Sequence, residues 1–300
     1  MAVSQRTRLA REQGRVNRLA VTLIRWSFVG DHQRLVNRAL RRAAITLFLR
    51  TLTKCDNALL SAYDVWLHER VQDQTFRFCL TGGYGFMLSD WLRDYEQPFV
   101  FLDIGANVGL YSLVALSNPR ARWVQAFEPD PSTLPFLKAN LRAADSTRFA
   151  VTAAALSDHP GTASLVRSSE HSGISTLRKT NLKEELFDDA VTVELRDFHY
   201  LDANVTIPSG CDVVVKLDVE GHEQNVLDTL IQWRDWRSVS AVCVELDYGY
   251  SDTDSIVNTL REQGFVEHCR TGKPKHHDAI FVRRPTVEDD DSAPRSSTSA

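Results

Sequence analysis

Between Phe99 and Val282, short apolar runs alternate with segments whose apolar residues recur every three or four positions, as expected of strands alternating with amphipathic helices. Phe99 to Ile104, Trp123 to Phe127, Phe149 to Leu156, Asp212 to Leu217 and Val239 to Leu246 read as strands. Leu110 to Leu116, Ser132 to Ala143, about His222 to Trp233 and Asp252 to Gln263 read as helices between them. Ala163 to Arg167 and Val191 to Leu195 read as shorter strands flanking a polar loop. This alternation predicts a mostly parallel sheet with helices on both faces. Phe265 to Cys269 and Ala279 to Val282 are separated by no helix, only by the turn-rich Thr271 to Pro274, and predict an antiparallel hairpin near one edge.

The pattern is less regular before Phe99. Ala62, Trp66 and Leu67 suggest a helix, Phe76 to Leu80 a strand, Gly82, Gly83 and Gly85 a turn, and Met87 to Tyr95 another helix. Residues 58–98 are expected to form a lead-in lobe that covers a cleft in the main domain, 99–285. In residues 1–57, Arg8, Arg11, Arg15 and Arg18, then Arg34, Arg38, Arg41 and Arg42, recur at helical spacing. They predict two helices with a basic stripe, with Leu35 or Val36, Leu40, Ala44 and Leu47 as an apolar face. Residues 286–300 are acidic, small and polar, a composition that predicts disorder.

Composition adds an asymmetry. The overall charge of −4 conceals eleven Arg and only two acids, Glu12 and Asp31, in residues 1–50; this arm is therefore +9 and the remainder −13. The arm is expected to cap the acidic body, to contact nucleic acid or an anionic membrane, or to serve as an organellar transit segment. Apolar runs such as Ala43 to Leu49 fall well short of the roughly 20 residues a membrane span requires. Five scattered cysteines with no CxxC pair predict free thiols in a reducing, cytoplasmic setting. The oligomeric state is left open.

The candidate chemistry sits at strand ends. Asp103, Gly105, Asn107 and Gly109 form D-x-G-x-N-x-G at a strand-to-helix turn, where glycine permits close backbone approach and the helix offers free N–H groups. Asn107 replaces the second glycine of a dinucleotide fingerprint, and Asp103 would repel a pyrophosphate while favouring a cationic amino group. Glu128 ends the second strand, where a carboxylate accepts hydrogen bonds from ribose hydroxyls. Lys216, Asp218 and Glu220 alternate at the end of a later strand and share one face. Glu245 and Asp247 end the next strand.

Together, DIGANVGLYS at 103–112, FEPDP at 127–131, AALSD at 154–158 and KLDVEGHEQNVL at 216–227 resemble the FkbM family of S-adenosylmethionine-dependent methyltransferases over about 99–282. The resemblance implies a class I, Rossmann-like methyltransferase fold with a mostly parallel seven-stranded sheet and an antiparallel C-terminal hairpin. It also implies O-methylation of a hydroxyl on a sugar, glycolipid or secondary metabolite, and so a small-molecule or glycan acceptor. By position, Asp103, Gly105 and Asn107 would line the methionine end of the cofactor, Glu128 its ribose, and Ala155 to Ser157, Leu156 included, its adenine side, with Gly109 also counted among the cofactor-binding residues. Asp218 or Glu220 would take the proton of the acceptor, with His222 or His171 as alternatives. His171, Ser172, Lys216 and Glu245 would face substrate; the cluster His276, His277 and Asp278 could touch it too, although a solvated turn is the favoured reading. Asp218, Glu245 and Asp247 could hold Mg²⁺, a reading less favoured than hydrogen bonding to loop amides. The alternatives are an RNA methyltransferase using the basic arm, a nicotinamide oxidoreductase, and a cofactor-binding module without catalysis.

Overall fold

In the computed structural model, which describes residues 14–28, 34–144, 147–177 and 186–284, the arginine-rich N-terminal segment forms two helices, α1 (Gly14–Trp26) and α2 (Arg34–Arg50). They run antiparallel: Asn17 Nδ2 donates to the Thr51 carbonyl at 3.4 Å and Arg41 Nε to Ser27 Oγ at 3.2 Å. The buried face is Ala20 and Ile24 with Ala44 and Phe48, all in one hydrophobic cluster with the lead-in lobe and the central sheet. Arg25 pairs with Asp90 at 2.7 Å, so part of the basic stripe is neutralised by the body, while Arg18, Arg38, Arg42 and Arg50 stay exposed. Arg8, Arg11 and the tail 286–300 lie outside the described residues. No helix among the described residues is long and apolar enough to cross a membrane.

Two expectations for the lead-in lobe need correcting. Residues around Ala62 to Leu67 are not helical but belong to a three-stranded antiparallel sheet, β1 (Lys54–Cys55), β2 (Ala58–Leu60) and β3 (Trp66–His68). Ser61 Oγ accepts from the N–H groups of Tyr63 and Val65, and Asp64 adopts φ 55°, a turn chemistry that overrides the helical spacing. Phe76 to Leu80 is not a strand but lies within helix α3 (Gln74–Thr81). The period-two pattern of Phe76, Phe78 and Leu80 is incidental; Phe76, Cys79 and Leu80 form the buried face at helical spacing. Asp73 caps this helix by accepting from Thr75 N–H at 2.8 Å, and Gly82 at φ 80° closes it in the left-handed region. The second helix, α4 (Met87–Asp94), falls where expected.

The main domain follows as β4 (Phe99–Ile104), α5 (Leu110–Ser117), β5 (Ala121–Phe127), α6 (Leu134–Ala143) and β6 (Phe149–Thr152). The run from Phe149 to Leu156 is two strands rather than one, because β7 (Ala155–Leu156) leaves the main sheet to pair with β9 (Asp189–Arg196), itself antiparallel to β8 (Gly161–Arg167). Helix α7 (Phe198–Asn204), capped by the Asp197 carboxylate accepting from His199 N–H, was not foreseen. Then come β10 (Asp212–Leu217), α8 (Glu223–Gln232), β11 (Val239–Asp247), α9 (Thr253–Glu262), β12 (Phe265–Lys273) and β13 (His276–Arg283).

The seven-stranded sheet has the order β12-β13-β11-β10-β4-β5-β6, parallel except at the C-terminal hairpin. Its central strands are buried on both faces, so alternate residues enter two cores. Phe99, Phe101, Val214 and Cys243 face the N-terminal hairpin, the lead-in lobe, α5 and α6, whereas Val100, Leu102, Val213, Val215 and Val242 face α7, α8 and α9. The chain winds from β4 toward β6 on one side and from β10 toward β12 on the other. The crevice outside the carboxyl ends of β4 and β10 is therefore the switch point at which such sheets bind ligands.

Candidate active site

The parallel register pairs Leu217 with Ile104, so the residues that follow, Asp218 and Gly105, lie side by side. They touch: a Cβ built on Gly105, where φ is 77°, would stand 1.9 Å from the Asp218 carbonyl oxygen. Lys216 closes the junction from below, its Nζ donating to the Gly105 carbonyl at 2.8 Å and lying 3.3 Å from Asp218 and 3.6 Å from Asp103. Burial alone would lower the Lys216 pKa, but Asp218 and Asp103 more than offset it and push it up.

Glu128 lies across the turn. Its Oε2 accepts from Asn107 N–H and its Oε1 from Asp130 N–H, both at 2.8 Å, and it is 6% exposed. Burial, only partly offset by these two bonds, pushes its pKa up to about 7. Asn107, at φ 49°, also donates from Nδ2 to Ser172 Oγ at 3.1 Å, which ties the turn to the loop that follows β8.

Four carboxylates converge on the other side. Asp218 and Glu220 follow β10; Glu245 on β11 stands directly opposite Asp278 on β13, a like-charge cross-strand pair that costs stability on an ordinary sheet surface. Burial first, then the charge of Asp218, raises Glu220 and Glu245 well above the usual carboxylate range, and burial with Asp218 pushes Asp278 up to about 7. Asp218, Glu220 and Glu245 each offer an oxygen within 4.8 Å of the others, a spacing that could hold a divalent cation. Asp247 is not among them: its carboxylate binds His276 Nδ1 at 2.7 Å and Gly249 N–H at 2.7 Å.

These groups line one cavity of about 540 Å³. Gly105, Asn107, Glu128, Ala155, Leu156 and Ser172 line it, as do Lys216, Asp218, Glu220, His222 and Glu245. Asp103, Gly109 and His171 do not. Asp103 is fully buried beneath the turn, its Oδ2 accepting from the N–H and hydroxyl of Ser112 at the start of α5. Gly109, at φ 86°, starts α5, where a Cβ would meet Leu137 at 2.6 Å. His171 turns its ring edge toward Phe78, and burial lowers its pKa. His222 lies on the Leu156 side of the cavity, with Nε2 3.0 Å from Ser157 Oγ and a pKa lowered by burial. Glu223, rather than Glu220, ties the loop to the next helix by accepting from Val219 N–H and Gly221 N–H.

The lead-in lobe closes the cavity with Thr75, Cys79, Tyr84 and Met87, and the N-terminal hairpin contributes Ser27, Phe28 and Arg41. None of these lies in the family motifs, and only Arg41 stood out in the sequence, as part of the basic stripe. For Asp278 the sequence favoured a solvated turn over contact with substrate; its register opposite Glu245 is what brings it to the cavity.

None of the curated proteins compared matches this chain significantly. Among solved structures, the ribosomal protein L11 methylase of Lactobacillus delbrueckii subsp. bulgaricus is similar at 14% identity over 66% of this chain and 77% of its own, with a TM-score of 0.37. Precorrin-6y C5,15-methyltransferase of Geobacter metallireducens GS-15 gives 12% identity over 66% and 86%, with 0.39. M. jannaschii TYW2 in complex with AdoMet gives 11% over 78% and 90%, with 0.41. The sequence itself matches the family model described as the methyltransferase FkbM domain over residues 103–267. That span is more than half of the 300 residues and runs from the Gly105 turn through β10 and β11, so the chain belongs to the FkbM methyltransferase family, with its class I, mostly parallel seven-stranded sheet.

Proposed function

We propose that this protein transfers a methyl group from S-adenosylmethionine to a hydroxyl oxygen of a sugar, glycolipid or secondary metabolite. The observation that carries the reading is a single cavity shared by the Gly105 turn, Glu128 and four carboxylates. The cofactor suits the residues present: each Glu128 oxygen takes one backbone N–H and retains a lone pair for a ribose hydroxyl. Bound there, S-adenosylmethionine supplies an electrophilic methyl group on a cationic sulfur. Asn107 and Ser172 hold its amino-acid end, and Ala155, Leu156 and His222 flank its adenine, an assignment that takes His222 away from proton transfer.

Asp218 is the carboxylate level with Gly105. It orients the acceptor hydroxyl and takes its proton as the new O–C bond forms. Four carboxylates facing one cavity cannot all be ionised. Those that keep a proton donate hydrogen bonds while the others accept, a mixed set suited to an acceptor bearing several hydroxyls. Asp218, Glu220 and Glu245 would also accommodate Mg²⁺. Loss of turnover on adding EDTA, restored by Mg²⁺, would assign them that second role.

The raised pKa of Glu128 gives a pH signature. With both oxygens already accepting from N–H groups, the ionised carboxylate accepts from the ribose hydroxyls far more strongly than the acid form, so affinity for S-adenosylhomocysteine is expected to rise up to about tenfold from about pH 6 to about pH 8, with an inflection near 7. Calorimetry at several pH values measures it, and Glu128→Gln should bind weakly at every pH, with the inflection gone. The stability contribution has the opposite sign. A carboxyl that holds its proton more tightly when folded favours folding below the ordinary value of 4.5, and that contribution is lost as pH rises through about 7.

The test of the reaction is its product. Incubation of the protein with isotope-labelled S-adenosylmethionine and a metabolite extract should yield a labelled methyl ether, located by fragmentation mass spectrometry. A methyl group found on nitrogen or carbon, or on a nucleobase, would reject the assignment.

A further inference from the structure

Arg41 reaches the cavity from the N-terminal hairpin, outside residues 103–267 that match the family. Its guanidinium lies over the Phe28 ring, with Cζ 3.6 Å from the centroid, and Phe28 in turn packs at right angles to the ring of Phe86. Nε donates to Ser27 Oγ at 3.2 Å. These contacts fix the plane of the group and use one of its five N–H donors, leaving the four on Nη1 and Nη2 without a partner among the described residues.

Other half-buried arginines are committed. Arg25 meets Asp90, Arg70 meets Asp73, Arg167 meets Asp130, and Arg93, Arg148 and Arg283 donate to main-chain carbonyls. Arg41 has lost water without gaining an anion among the described residues, and burial pulls its pKa down. The cavity's other cations do not substitute for it. Lys216 is engaged by Gly105, Asp103 and Asp218, and Lys273 is exposed on the β12–β13 hairpin.

A planar fork with a free edge matches a carboxylate, sulfate or phosphate in bidentate fashion. The carboxylates Asp218, Glu220, Glu245 and Asp278 would repel the same anion. An acceptor with a hydroxyl at one end and an anion at the other therefore has one favourable orientation in the cavity, hydroxyl toward Asp218 and anion toward Arg41.

Building on the methyl-transfer reading, we propose that Arg41 determines acceptor specificity by holding an anionic group of the molecule that is methylated. The test is a calorimetric titration of sodium sulfate into the full chain saturated with S-adenosylhomocysteine. Wild type is expected to bind sulfate, Arg41→Gln to bind it at least about tenfold more weakly, and Arg41→Lys to fall between them. Arg42→Gln, a change at the exposed neighbour, should match wild type, and the affinity for S-adenosylhomocysteine should be the same in all four. The labelled methylated product should also be retained on an anion exchanger at neutral pH.

Equal sulfate affinity in wild type and Arg41→Gln overturns the proposal, as does an absence of sulfate binding or an uncharged product. If Arg41→Gln weakens S-adenosylhomocysteine but not 5′-methylthioadenosine, which lacks the carboxylate, the anion is the cofactor's own and the acceptor assignment falls. Failure of wild type to bind S-adenosylhomocysteine would instead sink the methyl-transfer reading on which the proposal rests.

Discussion

Replacement of Gly105 by alanine is expected to abolish S-adenosylhomocysteine binding and to lower thermal stability. The added Cβ would lie 1.9 Å from the main-chain oxygen of Asp218, and no rotamer relieves a clash with backbone. The residue would also be strained at φ 77°. The turn and the end of β10 must therefore separate, breaking the 2.8 Å bond from Lys216 to the Gly105 carbonyl and moving Asn107 away from Glu128. Such a forced shift in a close-packed junction costs on the order of 1 to 3 kcal/mol or more. Gly109→Ala is the control: there the obstacle is the far end of the Leu137 side chain, which can turn, although φ 86° still imposes strain. Calorimetry with melting curves for both variants decides the matter. Wild-type affinity in Gly105→Ala would mean that the junction is looser than described.

Asp218→Asn should leave S-adenosylhomocysteine affinity within about threefold of wild type and reduce single-turnover methylation by about 10² to 10⁴, the usual contribution of a positioned general base. The amide keeps the shape of the side chain and can still accept from Lys216, so folding and the Gly105 contact are preserved. What is lost is the basic oxygen level with the cofactor turn. Glu245→Gln should cost less, because burial and its neighbours already favour its protonated form. A fall in cofactor affinity with the rate of the bound complex unchanged would make Asp218 a binding residue and exclude it as the base.

The strands that carry the site were legible because they are buried on both faces. β4, β10 and β11 read as continuous apolar runs ending in a carboxylate, and neither register nor packing was needed to find them. The lead-in lobe was not legible. The alternation of Phe76, Phe78 and Leu80 imitates a strand, and only the caps at Asp73 and Gly82 with the face that packs inward make it a helix. The positions of single residues were partly legible. Glu128 lines the cavity at the end of its strand, whereas Asp103 accepts from Ser112 and lies 3.6 Å from Lys216 beneath the turn.

Residue order alone determined the alternating α/β plan, the glycine turn after β4 and the family motifs from 103 to 227, since each is encoded within a few consecutive residues. Tertiary structure alone decided which carboxylates share a cavity and what closes it. Glu245 meets Asp278 through antiparallel register, Gly105 meets Asp218 through parallel register, and Arg41 arrives on a hairpin folded back over the lobe. Contacts between residues far apart in the chain depend on strand register and helix packing, and the local pattern of apolar and polar residues specifies those only through the core they must bury together.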